Sequence, residues 1–157
     1  MSDRITVESR APHTPTKRAR AAQPKPPTEH AEQSALIQWA QLHKRQYPEL
    51  ELLLAIPNGA KLPYGRNRNG QRFSREAMKL KAEGLKNGTP DLFLAYPKGN
   101  SGGLFIEMKR AKKSLSAVSH DQAAMIERLR AVGYRAEVCY GWEAALDVLL
   151  SYLEVAA

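Results

Sequence analysis

Apolar side chains recur at helical spacing in the stretch that follows residue 28. The stripe consists of Leu36, Trp39, Ala40, His43 and Tyr47. A helix from Glu29 to about Tyr47 is therefore predicted, with Thr28 as its N-cap and Pro48 as its stop. Glu32 lies one turn before the stripe begins, on the same face, so its carboxylate is predicted to point inward.

Residues 52–90 carry three further local signals. The apolar run 52–56 predicts a buried strand, which ends at the turn residues Pro57-Asn58-Gly59. Residues 57–73 are predicted to form a long loop. A short basic helix follows, with Ser74 as its cap and Gly84 as its C-terminal stop.

The second half of the chain alternates strands and helices. Strands are predicted over residues 90–96, 104–109 and 136–140. The first two are joined by a glycine-rich loop, and helices are predicted from Ser119 to Gly133 and from Trp142 to about Leu153. The order α-β-(α)-β-β-α-β-α predicts an α/β fold in which helices flank a central mixed β-sheet.

The composition is that of one globular domain. The 157 residues are 43% apolar, which is enough to form a hydrophobic core. A single cysteine, Cys139, excludes an internal disulfide and a cysteine-based zinc site. Because no apolar run approaches the roughly 20 residues of a membrane span, we expect a cytoplasmic protein without membrane contact.

The formal net charge of +8 is distributed unevenly along the chain. Residues 61–113 carry a net charge of +9, and residues 1–28 carry +4. The latter segment contains five of the ten prolines and no aromatic residue, so it is predicted to be a disordered basic tail. Such a tail is either an arm that contacts nucleic acid or a solvated leader without a fixed role. The ordered domain is then expected to cover residues 29–157.

Two acids and a lysine are predicted to converge on one face of two paired strands. Glu107 and Lys109 project together, because strand residues two apart face the same side. A hairpin centred on Asn100 places Asp91 opposite Lys109 and diagonal to Glu107. Two carboxylates suit a hard cation such as Mg²⁺ or Mn²⁺, to which the backbone carbonyl of Met108 offers a further oxygen. With an ammonium beside them to orient a water, the pattern predicts metal-dependent hydrolysis of a phosphodiester.

Each part of this constellation has a simpler explanation when it is taken alone. Glu-x-Lys triplets are frequent at exposed strand edges, and Pro-Asp is a common entry into a strand. The ordered combination of a Pro-Asp strand, a glycine-rich hairpin and an apolar-Glu-x-Lys strand favours a catalytic site.

These motifs resemble a known family. Gly88-Thr89-Pro90-Asp91 followed by Phe105-Ile106-Glu107-Met108-Lys109 looks like the signature of the PD-(D/E)xK nuclease superfamily. Three further segments make residues 29–140 similar to its VRR-NUC (virus-type replication-repair nuclease) branch. These are Ile56-Pro57-Asn58-Gly59, Gly84-Leu85-Lys86 and Ser119-His120-Asp121-Gln122. The resemblance implies a restriction-endonuclease-like α-β-β-β-α-β core, here with an extra short helix and a C-terminal helix.

The resemblance also implies a role for each matching residue. Asp91 and Glu107 would bind the metal, Lys109 would be the activating lysine, and Glu32 would support the metal site with Gln122 beside it. On the residues alone, an inward Glu32 is also compatible with pairing to a buried lysine or arginine. Gln122 stands three residues after Ser119, so it is equally the last member of a capping box.

Basic side chains surround this constellation in the sequence. One group lies between the first two strands and comprises Lys61, Arg66, Arg68, Arg72 and Arg75. A second group directly follows the Glu-x-Lys strand and comprises Arg110, Lys112 and Lys113. Both groups are predicted to bind DNA phosphates, together with Asn58, which the resemblance places near the phosphate. For any single member, a solvated surface charge is the alternative.

The stand-alone size resembles phage-type members of the branch, which act in DNA repair on branched DNA such as Holliday junctions as homodimers. The sequence therefore predicts a Mg²⁺- or Mn²⁺-dependent, structure-selective DNA endonuclease that works as a homodimer. A flap or other structure-selective nuclease is the alternative within the same class. A non-catalytic nucleic-acid-binding module and an RNA-directed enzyme are the other hypotheses.

Overall fold

A computed structural model describes residues 25–57, 65–66, 68–69 and 72–154 of the chain. The predicted disordered tail lies outside the described residues up to residue 24, and so do Asn58 and Lys61. No helix within the described ranges is long and apolar enough to cross a membrane.

The helices begin where the sequence predicts. They are α1 (Glu29–His43), α2 (Arg75–Ala82), α3 (His120–Ala131) and α4 (Trp142–Glu154). The hydroxyls of Thr28, Ser74 and Ser119 cap the first three, because each accepts a hydrogen bond from a backbone amide of the first turn. Helix α1 ends about one turn before the predicted boundary, since Tyr47 adopts a non-helical backbone ahead of Pro48.

The central sheet is mixed, as predicted. Its strands are β1 (Leu53–Ala55), β4 (Leu92–Leu94), β5 (Leu104–Lys109) and β6 (Arg135–Tyr140), in that spatial order. The β5–β6 pair is parallel and the other two pairs are antiparallel. Two short strands, β2 (Gly65–Arg66) and β3 (Arg72–Phe73), form a separate hairpin in the segment that was predicted to be only loop.

Strand β1 lies at the edge of the sheet, and its predicted burial was wrong. It pairs with β4 alone among the described strands, and Leu54 is 51% exposed. An apolar run of this length does not distinguish an edge strand from a central one, because both kinds of strand can consist of consecutive apolar residues.

The β4–β5 hairpin has a different register from the predicted one. Leu92 lies opposite Ile106, so the same register carried back one residue places Asp91 opposite Glu107 rather than Lys109. Two hydrogen bonds between Lys98 and Ser101 close the turn around Gly99-Asn100. The centre of the turn therefore lies between these two residues, N-terminal to the predicted centre at Asn100. The residue opposite Asp91 thus differs from the predicted one by two positions. A shift of two residues leaves each side chain on the same face of the sheet, so the predicted face is correct.

The core lies between the sheet and the helices α1 and α4. Leu36 of α1 and Leu149 of α4 belong to the same buried cluster as Ile106 and Met108 of β5. Alternation along β5 therefore sends Glu107 and Lys109 to the other face of the sheet. That face also carries Phe105, whose ring stacks on the Phe93 ring with centroids 4.2 Å apart.

Candidate active site

The predicted carboxylates and lysine meet at the C-terminal end of β5. Glu107 and Lys109 are both buried, with side-chain exposures of 1% and 6%. The ammonium of Lys109 lies 2.8 Å from Oε1 of Glu107. A buried charge is costly unless it has a partner, so each group here makes the burial of the other tolerable.

Asp91 joins this pair from the turn just before β4. Its Oδ2 accepts a hydrogen bond of 2.8 Å from the backbone N–H of Met108. Because β4 begins only at Leu92, this amide lies beyond the last paired residue of the β4–β5 ladder. The Asp91 carboxylate thus takes the place of a backbone acceptor on a neighbouring strand. It is thereby fixed directly beside the Glu-x-Lys segment.

Gln122 performs both of the roles that the sequence left open. Its Oε1 accepts a hydrogen bond of 2.9 Å from the N–H of Ser119, and the Ser119 hydroxyl in turn accepts the N–H of Gln122. This is the capping box at the start of α3. Its Nε2 also donates a short hydrogen bond to Oε1 of Glu107. The capping box therefore fixes the side-chain amide of Gln122, which in turn holds the carboxylate of Glu107.

The buried setting shifts the proton affinities of all three ionisable groups. Burial raises the pKa of Glu107 to about 7, against the opposing effect of Lys109. Burial also raises the pKa of Asp91, partly offset by the Met108 hydrogen bond. For Lys109, burial lowers the pKa, but the hydrogen bond and charge of Glu107 outweigh this and the net shift is upward. The lysine is therefore a firmly protonated ammonium.

One oxygen of this site is left without a partner. Within the described residues, Oε2 of Glu107 is the buried side-chain polar atom that has no hydrogen-bond donor. Leaving a buried acceptor unsatisfied costs about 1–3 kcal/mol, which a native site rarely tolerates without a reason. Carboxylate oxygens are the ligands that hard divalent cations prefer, so the donor set of Asp91 and Glu107 fits such an ion. The described residues contain no ready-made group of three or more His, Cys, Asp or Glu ligands.

A further acid, Glu29, reaches the site and was missed by sequence reasoning. Its Oε1 lies 3.7 Å from the ammonium of Lys109 and accepts a short hydrogen bond from the Ser116 hydroxyl. Glu29 is the first residue of α1, where an acid is readily explained by the helix dipole. Its spacing of three residues from Glu32, which places both on one helix face, was the available signal.

Glu32 is buried, as predicted, but the structure gives it a different neighbour. Its Oε2 accepts a hydrogen bond of 3.0 Å from the backbone N–H of Trp142, the first residue of α4. In the described part of the chain, no hydrogen bond or ion pair joins Glu32 to Asp91, Glu107 or Lys109. Its carboxylate therefore holds the N-terminus of α4, where the helix dipole favours a negative charge.

Only part of the first predicted DNA-binding group falls within the described residues. Arg66, Arg68 and Arg75 are exposed around the β2–β3 hairpin and the start of α2, and Arg72 lies in β3. Asn58 and Lys61 lie outside the described residues.

The group that follows β5 is partly engaged within the protein. The guanidinium of Arg110 donates to the backbone carbonyls of Pro27 and Pro26, at 2.9 and 3.0 Å. The ammonium of Lys113 lies 4.8 Å from the centre of the Tyr140 ring, a cation–π contact. Lys112 is exposed.

Comparison with known proteins assigns this arrangement to a family. The model of the VRR-NUC domain family matches residues 27–143, which includes every residue of the site. A solved structure described as a VRR-NUC domain protein is similar at a TM-score of 0.66 and 28% sequence identity. The similarity covers 84% of this chain and 93% of that one. No curated protein sequence matches the chain.

Proposed function

The chain belongs to the VRR-NUC domain family, a nuclease-type family, as its motifs predicted; from this premise we propose that it is a divalent-metal-dependent DNA endonuclease. The observation that carries the proposal is the unpartnered Oε2 of Glu107 beside Asp91 and Lys109. A buried carboxylate oxygen without a donor is suited to a cation, and the neighbouring ammonium is suited to a phosphate.

Asp91 and Glu107 would hold the ion, which is Mg²⁺ or Mn²⁺ in this proposal, with the carbonyl of Met108 as a further oxygen. When bound, such an ion polarises the phosphodiester and lowers the pKa of a water molecule. Glu29 is a third acid beside the lysine, because its Oε1 lies 3.7 Å from the Lys109 ammonium.

The remaining residues position charge around the scissile phosphate. Lys109 stays protonated, so its Nζ–H groups donate hydrogen bonds to a developing oxyanion and orient a water rather than removing a proton. Gln122 prevents Glu107 from rotating, since it holds the Oε1 atom that also binds the lysine. The nearly complete burial of Glu107 and Lys109 excludes bulk water, which strengthens these interactions.

We further propose branched DNA as the substrate and a homodimer as the active form. One active site makes one cut, whereas resolution of a Holliday junction needs two symmetric cuts. A dimer with two-fold symmetry supplies two such sites. A flap, which needs one cut, is the alternative substrate.

The test compares cleavage of a four-way junction, a flap, a duplex and an RNA strand in Mg²⁺, in Mn²⁺ and in EDTA. We expect metal-dependent cleavage of branched DNA by the wild type. Asp91→Asn and Glu107→Gln should each lower the rate by more than about 100-fold, because each removes a ligand rather than an outer contact. The exposed acids of α4 provide matched controls, Asp147→Asn and Glu154→Gln, which should cut normally.

Two results would decide against the proposal. DNA binding without cleavage in either metal would identify a non-catalytic binding module. Normal cleavage by both Asp91→Asn and Glu107→Gln would place the active site elsewhere.

A further inference from the structure

An open cleft of about 530 Å³ lies beside the active site, between the end of α2 and the first turns of α3. Its lining includes three cations, Lys81, Lys86 and Arg128, and one acid, Asp121. We propose that this cleft binds phosphates of the substrate DNA strand next to the scissile bond. The inference rests on the proposed function, because it assigns the neighbouring phosphates to the same substrate.

The charge of the cleft is the first argument. Lys81, Lys86 and Arg128 are exposed along it, and within the described part of the chain none of the three forms a salt bridge. The nearby Arg130 is different, because its guanidinium is held by Glu127 and Glu137. Three cations in one cleft that form no salt bridge with the described residues are suited to a polyanion.

The shape of the cleft gives the second argument. Asp121, Ala124, Met125 and Arg128 follow each other at helical spacing, so they form one face of α3. The apolar side chains of the lining, Leu85, Ala124 and Met125, are partly buried, whereas the three cations are exposed, so the apolar groups form the floor of the cleft and the cations its rim. A floor of this kind accommodates the sugar face of a DNA strand, while the rim contacts its phosphates. Asp121 is the one acid that lines the cleft, and it opposes the binding of an anion.

The continuity of the cleft with the active site gives the third argument. One wall runs from Lys86 directly into the turn that carries Asp91, and five residues span at most about 17 Å. The other wall runs from His120 into Gln122, whose amide holds Glu107. Phosphates along one strand advance about 3.4 Å each along the helix axis. The cleft is thus within about five nucleotides of the scissile phosphate.

The test is direct binding of a fluorescent four-way junction in EDTA, where no cleavage interferes. The triple variant Lys81→Gln/Lys86→Gln/Arg128→Gln should bind about tenfold or more weakly than the wild type. The slope of log affinity against log salt should become shallower by up to about 2.7, since each lost phosphate contact removes about 0.9. Asp121→Asn should bind the junction more tightly than the wild type, because it removes a negative charge from the cleft.

A matched triple variant controls for the loss of three positive charges. Lys44→Gln/Arg45→Gln/Lys98→Gln makes the same change in charge away from the cleft. Lys44 and Arg45 follow the far end of α1, about 22 Å from Glu29, and Lys98 lies in the β4–β5 turn. This control should keep the affinity and the salt slope of the wild type. Circular dichroism of each variant verifies that it is folded.

Three outcomes would overturn the inference. They are an unchanged affinity in the cleft variant, an equal loss in both triple variants, and no junction binding by the wild type. Cleavage in Mg²⁺ or Mn²⁺ is measured separately. A wild type that binds through the cleft but never cuts would refute the nuclease proposal and leave the cleft assignment standing.

Discussion

Among single residues, Glu107 has closely constrained surroundings. Its Oε1 receives both Lys109 and Gln122, while its Oε2 receives no donor from the described residues. Burial raises its pKa to about 7, so near neutral pH the metal-free protein has to ionise a carboxyl that prefers to be neutral. In the proposed function, a cation supplies the missing positive charge and the ionised carboxylate serves as its ligand.

This setting predicts how the stability of the metal-free protein depends on pH. Because the folded-state pKa of Glu107 lies above the ordinary value of 4.5, the stabilisation from its neutral form is complete below about pH 4.5. It is lost as the pH rises through about 7. In EDTA, the melting temperature of the wild type should therefore fall by a few degrees between pH 5 and pH 8.

Glu107→Gln removes this titration, so its melting temperature should vary less over the same range, whereas the surface control Asp147→Asn should follow the wild type. Adding Mg²⁺ at pH 8 should raise the melting temperature of the wild type and not that of Glu107→Gln. Parallel pH profiles for Glu107→Gln and the wild type would contradict the assignment.

The two acids of the first helix show what the sequence was able to predict. Helical periodicity correctly indicated that Glu32 faces inward. Its actual partner, the Trp142 amide, lies 110 residues further along the chain, and no local pattern reveals which group a buried acid will meet. Glu29 carries no distinctive signal in the sequence, because an acid at the start of a helix is ordinarily explained by the helix dipole.

At the level of secondary-structure elements, features that depend on neighbouring residues were predicted more accurately than features that depend on distant parts of the chain. The bounds of β5 and the three helix caps were correct because alternation and capping are read from neighbouring residues. The shared face of Asp91, Glu107 and Lys109 survived an error in register, since a shift by two residues preserves the face. The register itself depends on the turn at Gly99-Asn100, and the edge position of β1 depends on the whole sheet.

The contact between the turn before β4 and the start of α3 leads to a prediction about glycine. Gly88 has a φ of +78°, and a Cβ there would overlap the Asp121 carbonyl and lie 2.7 Å from the Gln122 nitrogen. Gly88→Ala should therefore push the Asp91 turn away from the helix that holds Gln122. We expect a destabilisation of about 2–4 kcal/mol in urea denaturation, together with a loss of cleavage.

Gly84→Ala is the matched control for this substitution. Gly84 has a φ of +104°, and nothing lies within 4 Å of a Cβ built there. It should show only the conformational cost of about 1–2 kcal/mol and should keep its activity. Equal effects at Gly84 and Gly88 would mean that close packing against α3 does not position the site.

The start of α1 is fastened by a side chain that sequence reasoning assigned to DNA. Arg110 donates to two carbonyls just before the helix that carries Glu29. A planar guanidinium forms both bonds at once, whereas an ammonium does not reproduce this geometry. Arg110→Lys should therefore lower kcat by about tenfold with little change in KM, and combining it with Glu29→Gln should add little further loss. If Arg110 instead binds a phosphate, Arg110→Lys will retain most of the activity and Arg110→Ala will mainly raise KM.

For the whole molecule, folding gathers the site from four separate segments of the chain. Glu29 comes from α1, Asp91 from the turn before β4, Glu107 and Lys109 from β5, and Gln122 from α3. The chain that carries this group of acids has a net charge of +8. In the proposed function, the positive charge attracts the polyanionic substrate and the buried acids hold a cation at its phosphate.

The proposed homodimer makes a prediction about cuts in pairs. On a supercoiled plasmid that extrudes a cruciform, two active sites acting in one complex make both cuts before it dissociates, so the wild type should yield linear DNA directly. Asp91→Asn should be inactive. If the two proteins are mixed in equal amounts and exchange subunits, mixed dimers hold one competent site and should accumulate nicked circles. Sedimentation of the wild type should give the mass of two chains.

A monomer that releases nicked circles as its first product would contradict the dimer and favour a flap, which requires one cut, as the substrate.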